Sequence, residues 1–506
     1  MVTRLTNSRT FSILFYLVLA VYIASFSFVL VSDPDFGWHL RYGEEVMLRG
    51  KLLTKDAFSH SFSGTEPIAT EWLVEVAYFL IYTKLSLLHL ALISSLFTTL
   101  AFFLPLVFIR GDKILKFMIA SWAVLGSANV LAVGARPQNS SLVFFSLLLL
   151  LLFEFSKKIK IIYLLPIPLL ILIWANAHPA YLLGITLIFL FLLTEIFYFL
   201  IINKRRITAK KILVFTFIFG LSVAFSTIKP SGQNGINSLK DNLTLMLPLN
   251  LATKLSNYGE ARLIIGEYLP PAYANVSGIL FFMGLIYSVL LFIDLPLYDK
   301  NHLRNFLLLL GIIYFSTLLR RNVPVFFMLF IILSLVYSKE FLGKMEIDKM
   351  AKKFSILIPY LNLTVICIMI VVILTKIPGN FQTILKNSKS ESIYCETLKY
   401  PCGAIEYIKK EKPKGNMFNT YTWGAYLVWV LRDYPVFMHG RFPDLDVLHD
   451  YQKVTSLSPE WEDILTKYQI GWMLLPRNEM LENVITMKGV WKEVYSDDRA
   501  IILFKN

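Results

Sequence analysis

Chemistry is concentrated in one octapeptide. Asp33-Pro34-Asp35-Phe36-Gly37-Trp38-His39-Leu40 sets two carboxylates, an indole and an imidazole directly after the apolar run Phe11 to Val31. A carboxylate can take the proton of an attacking hydroxyl as a general base, or it can hold a divalent cation. Two acids separated by one residue suit either task. Acids at the rim of a bilayer are costly unless solvated, paired or bound to something charged, which makes them site candidates. A structural reading stands beside that one: a polar cap that ends a membrane helix, with Trp38 as an interfacial anchor. The octapeptide alone leaves both open.

A second set of candidates lies in short turns between apolar runs. These are Arg136-Pro137-Gln138, His178 within Trp174-Ala175-Asn176-Ala177-His178-Pro179, Lys229-Pro230, Glu267 within Ile265-Gly266-Glu267-Tyr268, and Arg320-Arg321-Asn322. Arginine suits phosphate because its planar fork donates paired hydrogen bonds. Cations here would stabilise a departing lipid phosphate while an acid serves as base on an acceptor hydroxyl. Each arginine taken singly also fits a plain contact with lipid headgroups or a helix end. His39 could bind metal or relay protons, or be a hydrogen-bonded structural residue. His178 in its polar turn has the same two accounts, with Asn176 as packing partner.

The elements that must position these residues are membrane helices. The 506-residue chain is 56% hydrophobic, 15% aromatic and 17% charged, the profile of a polytopic membrane protein. Apolar runs of spanning length fall at roughly 11–32, 87–109, 117–135, 140–156, 161–177, 180–202, 211–228, 276–294, 303–319, 323–338 and 354–376, about eleven in all. The first reads as a retained span rather than a secretory signal. The net charge of +14 does not indicate nucleic acid, because Lys and Arg gather in short clusters such as Lys157-Lys158 and Lys204-Arg205-Arg206 between spans. Threading the chain with its N-terminus inside puts those clusters in the cytoplasm. It also puts the Asp33 loop, the 229–275 loop and the C-terminal tail outside.

Segment 71–86 is apolar at helical spacing but interrupted by Glu71 and Glu75, as expected of an amphipathic helix along the outer membrane surface. The expected division is a transmembrane domain over 1–376, with a structured first outer loop at 33–86, and an extracytoplasmic α/β domain over 377–506. In the latter, strands are expected at Asn416–Thr420, Pro435–His439, Ile470–Leu475, Lys492–Tyr495 and Ala500–Phe504, alternating with helices. Of the three cysteines, Cys367 lies inside a late span and reads as a buried thiol. Cys395 and Cys402 lie in a segment whose compartment permits a disulfide, which spacing alone leaves open. No zinc-spaced Cys/His cluster, phosphate-cradling Gly loop or Ser-centred elbow occurs.

The stretch from Asp33 to Glu44, then Asp56-Ala57-Phe58-Ser59 and Glu71-Trp72-Leu73, resembles a family of prokaryotic membrane proteins that look like GT-C glycosyltransferases. That superfamily includes the protein O-mannosyltransferases and the lipid A aminoarabinose transferases. Further matches are Arg136-Pro137-Gln138, Trp174-Ala175-Asn176-Ala177-His178, Lys229-Pro230-Ser231-Gly232, Glu267-Tyr268, Arg320-Arg321-Asn322-Val323-Pro324 and Asn419-Thr420-Tyr421-Thr422-Trp423-Gly424. The resemblance implies a polyprenyl-phosphate sugar donor, an extracytoplasmic site and acceptor, and a first-loop acid as base or metal-associated carboxylate. That acid is Asp35 or Asp33, with Glu71 as a third catalytic candidate and a divalent cation (Mg or Mn) as a possible companion held by Asp33 and Asp35. His39, Trp38, Arg136, His178, Lys229, Glu267, Arg320 and Arg321 would contact substrate. One departure is Phe437-Met438-His439-Gly440-Arg441, where the resemblance implies Asp before Gly-Arg and this chain has His439. A transporter or flippase of a lipid-linked or anionic solute, and a non-catalytic scaffold, are the alternative functions. The first would need ionisable groups near the midplane, whereas Glu154 and Glu195 lie toward the cytoplasmic ends of their spans.

Overall fold

The computed structural model describes residues 6, 8–65, 71–158, 160–201, 206–230, 268–293, 295–344, 357–388, 398–441 and 445–506, with isolated positions at 235, 236, 239, 243, 247, 251 and 395. The chain forms two compact units, one of residues 1–30, 91–228 and 235–382, the other of residues 31–90, 229–234 and 383–506.

The first unit is helical. Among the described residues of the whole chain, seven helices are long and apolar enough to cross a membrane: Arg9–Ser27, Leu87–Phe108, Gln138–Lys158, Tyr181–Leu200, Ala209–Ser226, Arg320–Ser338 and Ile358–Lys386. The protein is integral to a membrane. The remaining apolar runs also form helices, but shorter or charged ones. The 117–135 run breaks after Lys113–Gly126, the 161–177 run restarts after Pro166 as Ile167–Ala177, the 276–294 run yields Val276–Leu290, and Lys300–Leu318 carries Lys300 and Arg304 in its first turns. Within Val323–Lys344, the eight residues from Phe326 to Leu333 are all fully buried. A helix apolar on every face must sit inside a bundle, and this one does. Cys367, expected to be buried, is exposed on Ile358–Ser388, a helix most of whose surface is unburied within the unit.

The second unit joins the first loop to the C-terminal segment. Helices α1 (Phe36–Arg49) and α2 (Trp72–Lys84) cross at Gly43, where a Cβ would lie 2.2 Å from the Glu75 carbonyl oxygen. Helix α3 (Tyr421–Val430) meets α1 at Gly37, where a Cβ would lie 2.4 Å from the Ala425 carbonyl oxygen. Only glycine permits backbones this close. Four strands, β1 (Asn416–Asn419), β2 (Ile470–Pro476), β3 (Trp491–Ser496) and β4 (Ala500–Lys505), form a sheet of order β1-β2-β4-β3. β1 and β2 run parallel, and the other two pairs are antiparallel, with Leu474 opposite Ile502 in β2 and β4.

The expected strand at Pro435–His439 does not form. Its one ladder contact is a bridge between Val436 and Ser59 of the first loop. The backbone N–H groups of Phe437 and Met438 donate instead to the Asn419 side-chain oxygen, at 2.8 and 3.3 Å. A side chain has taken the place of a neighbouring strand. The cysteines expected to be able to pair do so, as the disulfide Cys395–Cys402.

Candidate active site

The first-loop acids end at the N-terminus of α1. Pro34 stands between them, and Asp33 Oδ1 accepts the Asp35 backbone N–H at 3.2 Å, a local turn that fixes one acid by the other. Asp35 occupies the cap position of α1, yet its side chain makes no capping bond. The helix N-terminus favours its charge. One turn later His39 faces α2. Its Nδ1 lies 2.9 Å from Glu75 Oε1 and 3.9 Å from Glu71 Oε2, and its Nε2 lies 3.8 Å from Asp33 Oδ2.

Glu71 caps α2, and Glu75 follows it by one turn on the same face. Arg441 donates to Glu71 Oε2 and approaches Asp35 Oδ2 at 3.8 Å. Its guanidinium carbon lies 5.3 Å from the centre of the Trp38 ring, a cation–π arrangement. Trp38 is itself buried and stacks on Tyr42 at 4.9 Å, so it is no interfacial anchor. Asp33, His39, Glu71 and Glu75 are 3, 1, 5 and 1% exposed, whereas the Asp35 side chain keeps 27% of its surface open. Of the acids in this cluster, Asp35 is the accessible one.

Electrostatics follow from that crowding. Burial, then the Glu71 charge, push the Glu75 carboxyl well above the ordinary range, with Arg441 opposing and Asp35 adding to the shift. Burial works against the Arg441 charge, but Glu71, Asp35 and Glu75 together overcome it and hold the guanidinium protonated. Burial and the two first-loop acids raise the Tyr400 phenol, which stacks on Tyr426 at 4.3 Å.

A supporting pair lies behind Arg441. The Arg441 N–H donates to His439 Nδ1 at 3.1 Å, and His439 Nε2 faces Asp56 Oδ1 at 3.7 Å. Asp56 Oδ2 accepts from the Ser59 hydroxyl at 2.6 Å and the Ser59 N–H at 2.9 Å. Burial would raise the Asp56 carboxyl, but His439 and Ser59 outweigh it and hold it below the usual range. His439, found where the resemblance implies an acid, therefore braces the turn that carries Arg441. Gly440 makes that turn possible: a Cβ there would lie 1.8 Å from Asp35 Oδ1.

The cationic candidates other than Lys229 lie in the first unit. Arg136, Arg320 and Arg321 line one cavity of about 300 Å³ with Asn129, Asn275 and Ser277, and its lining among the described residues contains no carboxylate. Asn129 Nδ2 donates to Asn275 Oδ1 at 2.9 Å, and Arg321 stacks over Tyr268 at 4.4 Å. His178 lines a smaller pocket with Gln138, Ser141 and Arg321. Its Nδ1 stands 2.9 Å from the Ser141 hydroxyl, which in turn accepts from Trp174 Nε1 at 2.7 Å. Lys229 falls in the second unit, and burial lowers its ammonium to about 8. Glu267 lies outside the described residues.

The structure thus brings Asp33, Asp35, Trp38, His39 and Glu71 together, and separately gathers Arg136, Arg320 and Arg321. Sequence reasoning had marked Glu75 only as a break in apolar periodicity and Arg441 only as part of a departing motif. His39, Glu71 and Glu75 each offer a ligand atom within 4.8 Å of the others, the one such group among the described residues.

No known family model matches the chain, and no curated protein sequence does. Solved structures do match its fold. ArnT from Cupriavidus metallidurans, bound to undecaprenyl phosphate, aligns over 98% of this chain and 98% of its own at 13% identity and a TM-score of 0.52. The archaeal oligosaccharyltransferase AglB from Archaeoglobus fulgidus, in complex with an inhibitory peptide and a dolichol-phosphate, aligns over 93% of this chain and 70% of its own at 11% identity and a TM-score of 0.53. At such identities the likeness is one of fold: the chain shares its architecture with ArnT, a lipid A aminoarabinose transferase, and AglB, both members of the GT-C superfamily.

Proposed function

We propose that this protein is a membrane glycosyltransferase that moves a sugar from a polyprenyl-phosphate-linked donor to an extracytoplasmic acceptor. The observation that carries the reading is the buried carboxylate cluster at the first loop of a GT-C fold, with Asp35 its accessible member. The lipid phosphates bound to the two neighbours support the donor class by analogy of fold. The carboxylate-free cavity around Arg136, Arg320 and Arg321 has the chemistry to receive a phosphate. The Cys395–Cys402 disulfide supports an oxidising, extracytoplasmic location for the second unit.

In the proposed reaction an acceptor hydroxyl oxygen attacks the anomeric carbon and Asp35 takes its proton. The bond from that carbon to the phosphate oxygen breaks, and polyprenyl phosphate leaves with the electron pair. Asp33 fixes Asp35 through the backbone bond described above, and Glu71 holds Arg441 beside it. A divalent cation in this site belongs to the same proposal. The test is transfer of labelled sugar from polyprenyl-phosphate donors by purified protein, with Asp35→Asn and Asp33→Asn as controls. Wild-type transfer by the double variant would remove the base assignment.

A further inference from the structure

We propose that His39, Glu71 and Glu75 form a binding site for a divalent transition-metal ion where α1 and α2 face each other, with Asp33 as the outer carboxylate that orients His39. The use made of the ion rests on the glycosyltransferase reading; the site itself does not. It places the ion on residues other than the Asp33 and Asp35 pair, which leaves Asp35 free to act as base.

Geometry gives the first argument. His39 Nδ1 stands 2.9 Å from Glu75 Oε1 and 3.9 Å from Glu71 Oε2. Donors bound to one ion at about 2.0–2.2 Å stand about 3–3.5 Å from one another, between those two separations. The ligand atoms of the three residues all lie within 4.8 Å of one another. The three residues lie on rigid helices, held at the Gly43 crossing, where no wider side chain can part them.

Polar satisfaction gives the second. Glu75 is 1% exposed, and its Oε2 has no hydrogen-bond partner. Among the described residues its ion-pair contact is with His39. A buried carboxylate oxygen without a donor is costly, and such orphans mark places where a water or an ion belongs. The pairing of Glu71 and Glu75 at one-turn spacing adds like-charge repulsion that a cation between them would remove.

The outer shell gives the third. A metal-binding imidazole ordinarily turns its other ring nitrogen toward a carboxylate. His39 Nε2 faces Asp33 Oδ2 at 3.8 Å. One imidazole and two carboxylates favour Mn²⁺ or Zn²⁺ over Mg²⁺ or Ca²⁺, which prefer oxygen donors throughout. Three protein ligands leave positions open for water or substrate.

The experiment uses full-length protein in detergent, stripped with chelator, re-equilibrated with Mn²⁺ or Zn²⁺ and freed of excess ion before elemental analysis. The expected result is about one ion per chain for wild type. Affinity should fall about tenfold or more in His39→Gln and Glu75→Gln and stay unchanged in Asp35→Asn. Substoichiometric binding by wild type overturns the proposal whether or not the variants fold. So does wild-type affinity in a folded Glu75→Gln protein, or loss of the ion in Asp35→Asn. The two readings fail separately: bound metal without sugar transfer removes the function, and transfer by a metal-free protein removes the ion's part in it while the binding result alone decides the site.

Discussion

The two units handle charge in opposite ways. In the first, Arg136, Arg320 and Arg321 line one cavity with asparagine and serine side chains and, among the described residues, no carboxylate. In the second, carboxylates outnumber cations and are buried against His39 and Arg441, so charge is consumed largely within the fold. An open cationic cavity is what an anionic substrate needs. A crowded acidic one is what a proton acceptor or a cation needs, because a low-dielectric surrounding strengthens every interaction within it.

The sharpest way to break that contrast is to neutralise the accessible acid. Asp35→Asn should lower transfer by about a hundredfold to ten-thousandfold, the usual span for loss of a positioned base, while leaving donor binding nearly intact. Initial rates against donor concentration read both; an unchanged rate would return the cluster to a structural role. On the cationic side, Arg136→Gln, Arg320→Gln or Arg321→Gln should each weaken binding of a short-chain polyprenyl phosphate by about tenfold or more, since a charged hydrogen bond contributes about 1.5–3 kcal/mol. Titration calorimetry at two salt concentrations should show the loss growing as salt falls.

Gly440→Ala tests whether the acidic cluster depends on close packing. Its Cβ would collide with Asp35, so transfer should fall while the helical unit keeps its thermal stability. The brace behind Arg441 is pH-dependent in a defined direction. Asp56 is held below its ordinary range, so its stabilising share is fully present above about pH 4 and is lost as pH falls through its folded value. Asp56→Asn should therefore destabilise the second unit by about 1–3 kcal/mol at neutral pH, and the gap to wild type should close in acid. Melting curves across pH would expose an error in sign at once. The smallest effect expected is chemical: a water-soluble thiol reagent should label Cys395 and Cys402 only after reduction.

Much of this architecture was legible in the chain. Apolar runs forecast the helices because burying a helix on many sides demands it, and β2 and β4 followed from short apolar stretches between turn residues. The strand expected at Pro435–His439 failed because an asparagine from β1 claimed its N–H groups, and a side-chain substitute of that kind leaves no trace in local hydropathy. Of the eleven runs, seven form helices of spanning length among the described residues. Gly126, Pro166 and the charges of Lys300–Leu318 shorten or interrupt helices whose apolar content alone looks sufficient.

By itself the sequence determined the membrane class and the helical character of the chain, which composition and local spacing carry, and it marked Asp33 and Asp35 as site candidates. Tertiary structure alone decided that Glu75 and Arg441 join the acids, that His439 braces Arg441, and that the three arginines share one cavity. Arg441 lies 370 positions from Glu71 in the chain. Contacts across such separations depend on how helices and turns cross, set here by close approaches at Gly37, Gly43 and Gly440, and not on any local preference of the residues that meet.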